Sequence, residues 1–218
     1  METVRQTPPD LTLRWAALFF HDIGKGLPGV RAFSPDGQPT DHGHDQAGAK
    51  LAAAIASRLR FPAKRRELLV WLVANHMRFH FYAAQSPAAV VRWVRREARS
   101  GRFASSAELA AAFAQLAALG AADAAATGQG SRPVVAAKQF GGYLAQLAAA
   151  MPVHTRDLAY DAGKLKAVLG DGRAMGEFLR IALRRVQDGQ LANEPAALCA
   201  AASKWRQRRQ NSGGGETG

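Results

Sequence analysis

The chain has 218 residues, 48% of them hydrophobic, with one cysteine and a formal charge of +12 from 29 Lys and Arg against 17 Asp and Glu. Its length can bury a core as one large domain or two small ones, while the lone Cys199 excludes an internal disulfide and a cysteine-built zinc framework. The apolar residues are interrupted by Arg, Glu or Gly, so no stretch is expected to span a bilayer. The start Met1–Pro9 lacks the apolar region of a signal peptide, and a cytoplasmic protein is expected. The basic surplus favours a polyanionic partner, nucleic acid first.

Apolar residues recur at three- and four-residue steps and strand signals are almost absent, so the fold class is expected to be all-α. A short buried helix is predicted from Leu11 to Phe20, running into His21-Asp22 and breaking at Gly24. Leu27 to Asp41 holds Pro28, Pro35 and Pro39 and reads as a loop. Ala47–Leu59 is predicted helical, and Phe61-Pro62 opens a helix reaching about Phe79. Ser86-Pro87 opens the next, which Gly101 closes. Ser105-x-x-Glu108 is a capping-box pattern before a long Ala/Leu helix running past Asp123 to Gly128.

Gln129 to Pro133 reads as a hinge, Ala136–Ala150 as a helix and Pro152–Asp161 as irregular chain. Met175–Val186 is strongly amphipathic, and Cys199 is read as a small buried hydrophobe in a helix with Leu198. The expected organisation is a helical domain over residues 1–130, a helical tail domain over 131–205 and a disordered basic, Gly-rich tail over 206–218.

Histidine placement is uneven. His21, His42, His44, His76 and His80 lie in the first eighty residues and only His154 lies outside. His21-Asp22 sets a nitrogen and an oxygen ligand at a helix mouth, with the cation Lys25 just beyond. Water-activating divalent metals take such mixed ligands, and an ammonium suits a phosphate. Asp123 is the only acid between Glu108 and Asp157, on an apolar helix where a buried carboxylate needs compensation, so it is the best remote candidate for a metal ligand. His42 reads as solvated and His154 as structural or exposed. His76 and His80 share a helix face, but the zinc-protease pattern needs Glu after the first His and Met77 stands there, so the pair alone is a weak signal.

Taken together, Leu13–Lys25, Gly43–Gly48, Arg58–Pro62 and Leu72–Met77 resemble the HD domain, a metal-dependent phosphohydrolase fold. More narrowly, the chain is similar to the HD region in the C-terminal body of bacterial tRNA nucleotidyltransferases and poly(A) polymerases. Met151–Leu158 and Val186–Asn193 extend that likeness, which covers roughly residues 11–205. The resemblance implies His21, Asp22 and Asp123 as primary ligands of a divalent ion (Mg, Mn, Ni or Co). It implies His44 and His76 as second-site ligands or phosphate contacts and Lys25 as a phosphate clamp, so that Asp22, Lys25, His44 and His76 form the catalytic set. Two departures stand out. HD domains usually carry a further metal-binding His upstream, and none of the twenty residues before His21 is His. The nucleotidyltransferase head with its paired aspartates lies outside this sequence, so no nucleotide addition is expected from the chain on its own.

Arg92, Arg95, Arg96 and Arg99 fall on one helix face, with Val90, Val91 and Val94 opposite. Further basic groups are Arg58 to Arg66, Arg180 to Arg185 and Lys204 to Arg209. Such faces suit an RNA backbone, and the resemblance implies tRNA. Two functions are therefore expected as alternatives. One is a divalent-metal phosphohydrolase of the phosphomonoester or 2′,3′-cyclic nucleotide phosphodiesterase type, tied to tRNA or other RNA 3′-end processing. The other is a non-catalytic tRNA-binding body working with a separate nucleotidyltransferase head. No membrane partner is expected.

Overall fold

The computed structural model describes residues 2–16, 20–128, 130–170 and 172–213. Among these, ten α-helices, a 3₁₀ turn and one small hairpin make up the regular structure, so the fold is all-α. Helix α1 (Glu2–Arg5) precedes α2 (Leu11–Trp15), whose N-cap Asp10 accepts a hydrogen bond from the Leu13 amide at 2.8 Å. The predicted helix to Phe20 is described only in part, because residues 17–19 lie outside the described residues.

The proline-bearing segment is not structureless. Strands β1 (Ala32–Phe33) and β2 (Pro39–Thr40) pair antiparallel within it, and an ion pair between Arg31 and Asp41 at 2.8 Å closes its base. Helix α3 (His44–Arg58) starts three residues before the predicted Ala47, because Gly43 takes φ +80° and turns the chain directly into it. Helix α4 (Ala63–Ala83) runs four residues beyond Phe79, which carries His80 into the helix.

Next come α5 (Pro87–Ala98), α6 (Ser106–Ala126) and α7 (Ser131–Ala150). The predicted capping residues operate at α6. Ser105 Oγ accepts from the Glu108 amide at 3.2 Å, and Glu108 reaches back to the Ala104 amide at 2.6 Å. The predicted hinge is narrower than expected, since α7 already begins at Ser131; residue 129 lies outside the described residues. One expectation is overturned here: α6 is long and apolar enough, by length and composition, to cross a membrane. Its Ala-rich sequence hides this, because no block of bulky residues marks it. In the fold Phe113, Leu116 and Leu119 are wholly buried in the protein interior.

Two compact units emerge, and neither is continuous in sequence. Met1–Val90 with Ala110–Leu147 form the first, and Val91–Leu109 with Ala148–Gly218 form the second. The passage from α6 to α7 near residue 130, where a domain boundary was expected, lies inside the first unit. That unit is packed around Leu69, Trp71, Leu72, Phe79, Phe113 and Leu144, with Trp71 edge-on to Phe113 at 5.3 Å. Gly120 permits close helix approach, since a Cβ there would lie 2.3 Å from the Phe79 ring.

In the second unit a 3₁₀ turn (Thr155–Asp157), α8 (Ala162–Leu169), α9 (Arg173–Gln187) and α10 (Pro195–Gly213) enclose Leu158, Leu165, Phe178, Leu179 and Leu198. Helix α8 was not predicted, and Cys199 is half-buried. The segment 206–213, expected to be disordered, continues α10. Trp205 packs on Phe178 at 6.0 Å, Arg209 lies over Trp205 at 4.8 Å and pairs with Glu177, and Arg206 bonds the Val168 carbonyl. Residues 214–218 lie outside the described residues.

Candidate metal centre

Two glycines let the His21-Asp22 segment sit against the start of α3. A Cβ on Gly24 would lie 2.1 Å from the His44 carbonyl oxygen, and one on Gly48 would lie 3.2 Å from the Gly24 nitrogen. With no side chain at either position, backbone meets backbone. Asp22 is thereby brought to the imidazole that opens α3, while α4 delivers His76 from the other side. Helices α3 and α4 pack directly against each other.

The two imidazoles are held in defined orientations. His44 Nδ1 lies 2.8 Å from the Asp41 carbonyl oxygen, and His76 Nδ1 lies 2.7 Å from the Val73 carbonyl oxygen. A carbonyl only accepts, so each Nδ1 carries its ring hydrogen and each ring turns its Nε2 inward. Those Nε2 atoms stand 3.1 Å apart. Asp22 Oδ1 lies 3.3 Å from His44 Nε2 and 3.9 Å from His76 Nε2. Burial pushes the His76 imidazole down to about 4, against the hydrogen bond to Val73, so it is neutral at physiological pH. Among the described residues, Asp22, His44 and His76 form a group whose ligand atoms all lie within 4.8 Å of one another. Two imidazole nitrogens and a carboxylate are a donor set that a divalent cation accepts, and the residues present fit one.

A second group adjoins it. His21 Nε2 lies 3.4 Å from Asp22 Oδ2 and 3.7 Å from Asp123 Oδ1, while His80 Nε2 lies 3.2 Å from Asp123 Oδ2. The His80 ring nitrogen beside Asp123, aided by His21, holds that carboxyl below the usual carboxylate range, although burial works the other way. The expected ligands His21, Asp22 and Asp123 thus touch in a chain, with His21 between the two acids. His44 and His76 are the partners that crowd Asp22. The weak His76/His80 spacing signal had a structural basis: one helical turn aims the two rings at different carboxylates.

Lys25 Nζ is 2.7 Å from Asp22 Oδ2 and its side chain is about half exposed. Beside it opens a cleft of about 630 Å³, lined in part by Lys25, His44, Met77 and Phe81. Met77 and Phe81 are exposed apolar residues there. His42 and His154 are exposed, as expected.

The arginine face lies in the second unit and is already engaged. Arg95 and Arg99 both pair with Asp188, at 2.8 and 2.9 Å, and Arg99 also holds Gln187 Oε1 at 2.8 Å. Arg92, Arg95, Arg96 and Arg99 together line one concavity. Half of the stripe therefore cross-links α5 to the end of α9, a role that helical periodicity does not reveal.

Comparison with known proteins agrees with this geometry. The HD domain family matches residues 3–117. A "Multifunctional CCA protein" of Legionella pneumophila is 35% identical over 80 residues, 37% of this chain and 18% of that protein. An "A-adding tRNA nucleotidyltransferase" of Deinococcus radiodurans is 43% identical over 74 residues, 34% of this chain and 16% of that protein. The matched part spans less than a fifth of either relative. No solved structure matches. With more than half its length matched, and with His-Asp, two further imidazoles and a remote aspartate gathered in space, the chain belongs to the HD domain family.

Proposed function

We propose that this centre is a divalent-metal phosphohydrolase site acting on phosphomonoesters or 2′,3′-cyclic nucleotide phosphates at the 3′ ends of RNA, tRNA foremost. The observation that carries the reading is the meeting of the His44 and His76 Nε2 atoms, 3.1 Å apart, beside Asp22 Oδ1. That arrangement is satisfied by a hydrogen shared between the two nitrogens or by a cation among the three atoms. A bound Mg, Mn, Ni or Co ion supplies an activated water near neutral pH and draws charge from a phosphoryl oxygen. His44, His76 and Asp22 would hold it, with His21 and Asp123 adjoining. Lys25 steadies Asp22 and faces the substrate oxygens. Exposed Phe81 and Met77 at the cleft rim offer an apolar platform on which a nucleobase stacks. The names of the relatives bring tRNA to this reading, and with it a cytoplasmic setting.

The test is hydrolysis of 2′,3′-cyclic AMP and of a simple phosphomonoester with each ion. Activity lost with chelator and in Asp22→Ala and Asp123→Ala supports the site. Absence of hydrolysis with every ion, alongside tRNA binding unchanged in both variants, overturns it.

A second reading draws on the arginine concavity. The chain serves as a tRNA-binding body that works with a nucleotidyltransferase head. Arg92, Arg95, Arg96 and Arg99 would follow the phosphate backbone through charge and shape, so affinity falls steeply with salt. Salt-independent tRNA binding that survives replacement of all four arginines removes this reading.

A further inference from the structure

We propose that Phe33 is a second base-stacking platform, so that the cleft beside the metal centre takes the last two nucleotides of a single-stranded RNA rather than a mononucleotide. The inference rests on the phosphohydrolase reading above and deepens it by setting the length of the substrate. Among the described residues the two most exposed large apolar side chains are Phe33, at 69%, and Phe81, at 59%. A single exposed aromatic ring is ordinary on a protein surface. Two that attend the same cleft call for a ligand.

The small hairpin brings Phe33 there. Phe33 is the cross-strand partner of Pro39, and Pro39 lines the cleft together with Lys25, His44, Met77 and Phe81. Directly opposed residues of an antiparallel pair project on the same face, so the Phe33 ring stands on the cleft side of the hairpin. Phe81 comes to the rim from the end of α4, and Phe33 extends the rim beyond Pro39 from β1. The cleft, about 630 Å³, is far larger than a terminal phosphate needs and lies within the range of pockets that bury an organic ligand.

The platform is braced. Arg31, two residues before Phe33, grips the Asp41 carboxylate through Nε and Nη2 at 2.8 and 3.0 Å, and the Gly26 amide donates to the same carboxylate at 2.9 Å. The Ser34 amide donates to the Gln38 carbonyl and the Gly37 amide to the Ser34 carbonyl, both at 2.9 Å, closing the turn. A ring mounted on a braced hairpin loses little freedom when a base stacks on it. Stacking uses the π-face that every base carries, so the two rings accept any sequence. The terminal phosphate lies toward Lys25 and His44, the last base on Phe81 and the preceding base on Phe33.

The experiment is isothermal titration calorimetry on the full chain in the presence of chelator, so that nothing is cleaved, with circular dichroism confirming that each variant is folded. The probes are the dinucleotide ApAp with a 3′-phosphate and the same molecule lacking its first base, which keeps the backbone charge equal. The parent is expected to bind ApAp about tenfold more tightly than the abasic analogue. Phe33→Ala erases that difference and leaves the abasic affinity unchanged, Phe33→Trp keeps the difference, and Phe81→Ala weakens both ligands alike. Equal affinities in the parent, a difference that survives Phe33→Ala, an equal loss for both ligands in Phe33→Ala, or no binding at all overturns the inference. A difference that depends on Phe33, in a chain that hydrolyses nothing with any ion, removes the phosphohydrolase reading and leaves the two-base cleft standing.

Discussion

His44 Nε2 and His76 Nε2 stand 3.1 Å apart, each ring fixed by a hydrogen bond from Nδ1 to the carbonyl three residues before it. Backbone geometry therefore places a hydrogen on Nδ1 of both imidazoles and turns the two Nε2 atoms toward each other beside Asp22. A ligand that binds only the folded chain stabilises it by about 2.7 kcal/mol at a hundred times its dissociation constant. Saturating Mn²⁺ is expected to raise the melting temperature by several degrees and chelator to reverse the gain. His76→Ala should abolish that increment, as read by differential scanning calorimetry.

Gly24→Ala puts a methyl group 2.1 Å from the His44 carbonyl oxygen, backbone that cannot swing aside. The expected loss is about 3 kcal/mol of stability, at the upper end for overpacking, together with weakened metal binding as Asp22 moves off His44. Thermal denaturation and Mn²⁺ titration of this variant check both; a variant that melts like the parent and binds Mn²⁺ equally well contradicts the packing described here.

Phe81 is 59% exposed on the cleft rim, so its removal costs the fold little. Stacking of one base on an aromatic ring contributes about 1–3 kcal/mol. Phe81→Ala is expected to raise KM for a cyclic nucleotide about tenfold and to leave KM for a phosphomonoester without a base unchanged. Steady-state kinetics on the two substrates separates this from a general loss of activity.

Asp188 is the shared anion of Arg95 and Arg99. Its side chain and those of the two arginines are 26–38% exposed, so solvent reaches the ion pairs and weakens them in part. Asp188→Ala should cost about 1 kcal/mol of stability while freeing the Arg95 guanidinium, with Arg99 still held by Gln187 Oε1. If the face binds RNA, affinity rises in this variant, measured by filter binding at two salt concentrations.

Asp157 supplies an acid-sensitive contact in the second unit. Burial tends to raise its pKa, but the His154 and Val153 amides, each donating to Oδ2 at 2.9 Å, outweigh that and hold the carboxyl below its ordinary value. A depressed carboxyl stabilises the fold above its unfolded pKa, and that contribution is lost as pH falls through the folded value. Asp157→Asn is therefore expected to be less stable than the parent at pH 6, with the difference shrinking below about pH 4. Urea denaturation across that range reads it directly.

Local information in the sequence was enough for most of the helices and for the residues that gather at the candidate centre. The three- and four-residue apolar steps, the Ser105 cap and the Ser86-Pro87 start are short-range signals, and the helices formed near where those signals lie. His21, Asp22, His44, His76 and Asp123 were legible through the uneven placement of the histidines, the isolation of Asp123 on an apolar helix and the resemblance to the HD domain. Partnership was not legible, because it is set by packing between segments far apart in the chain. The Gly24 and Gly48 approach decides that Asp22 meets His44 and His76, and the extra turn of α4 decides that His80 meets Asp123. The same holds for Arg95 and Arg99. Periodicity marks their shared face, while only the tertiary fold places Asp188 against it.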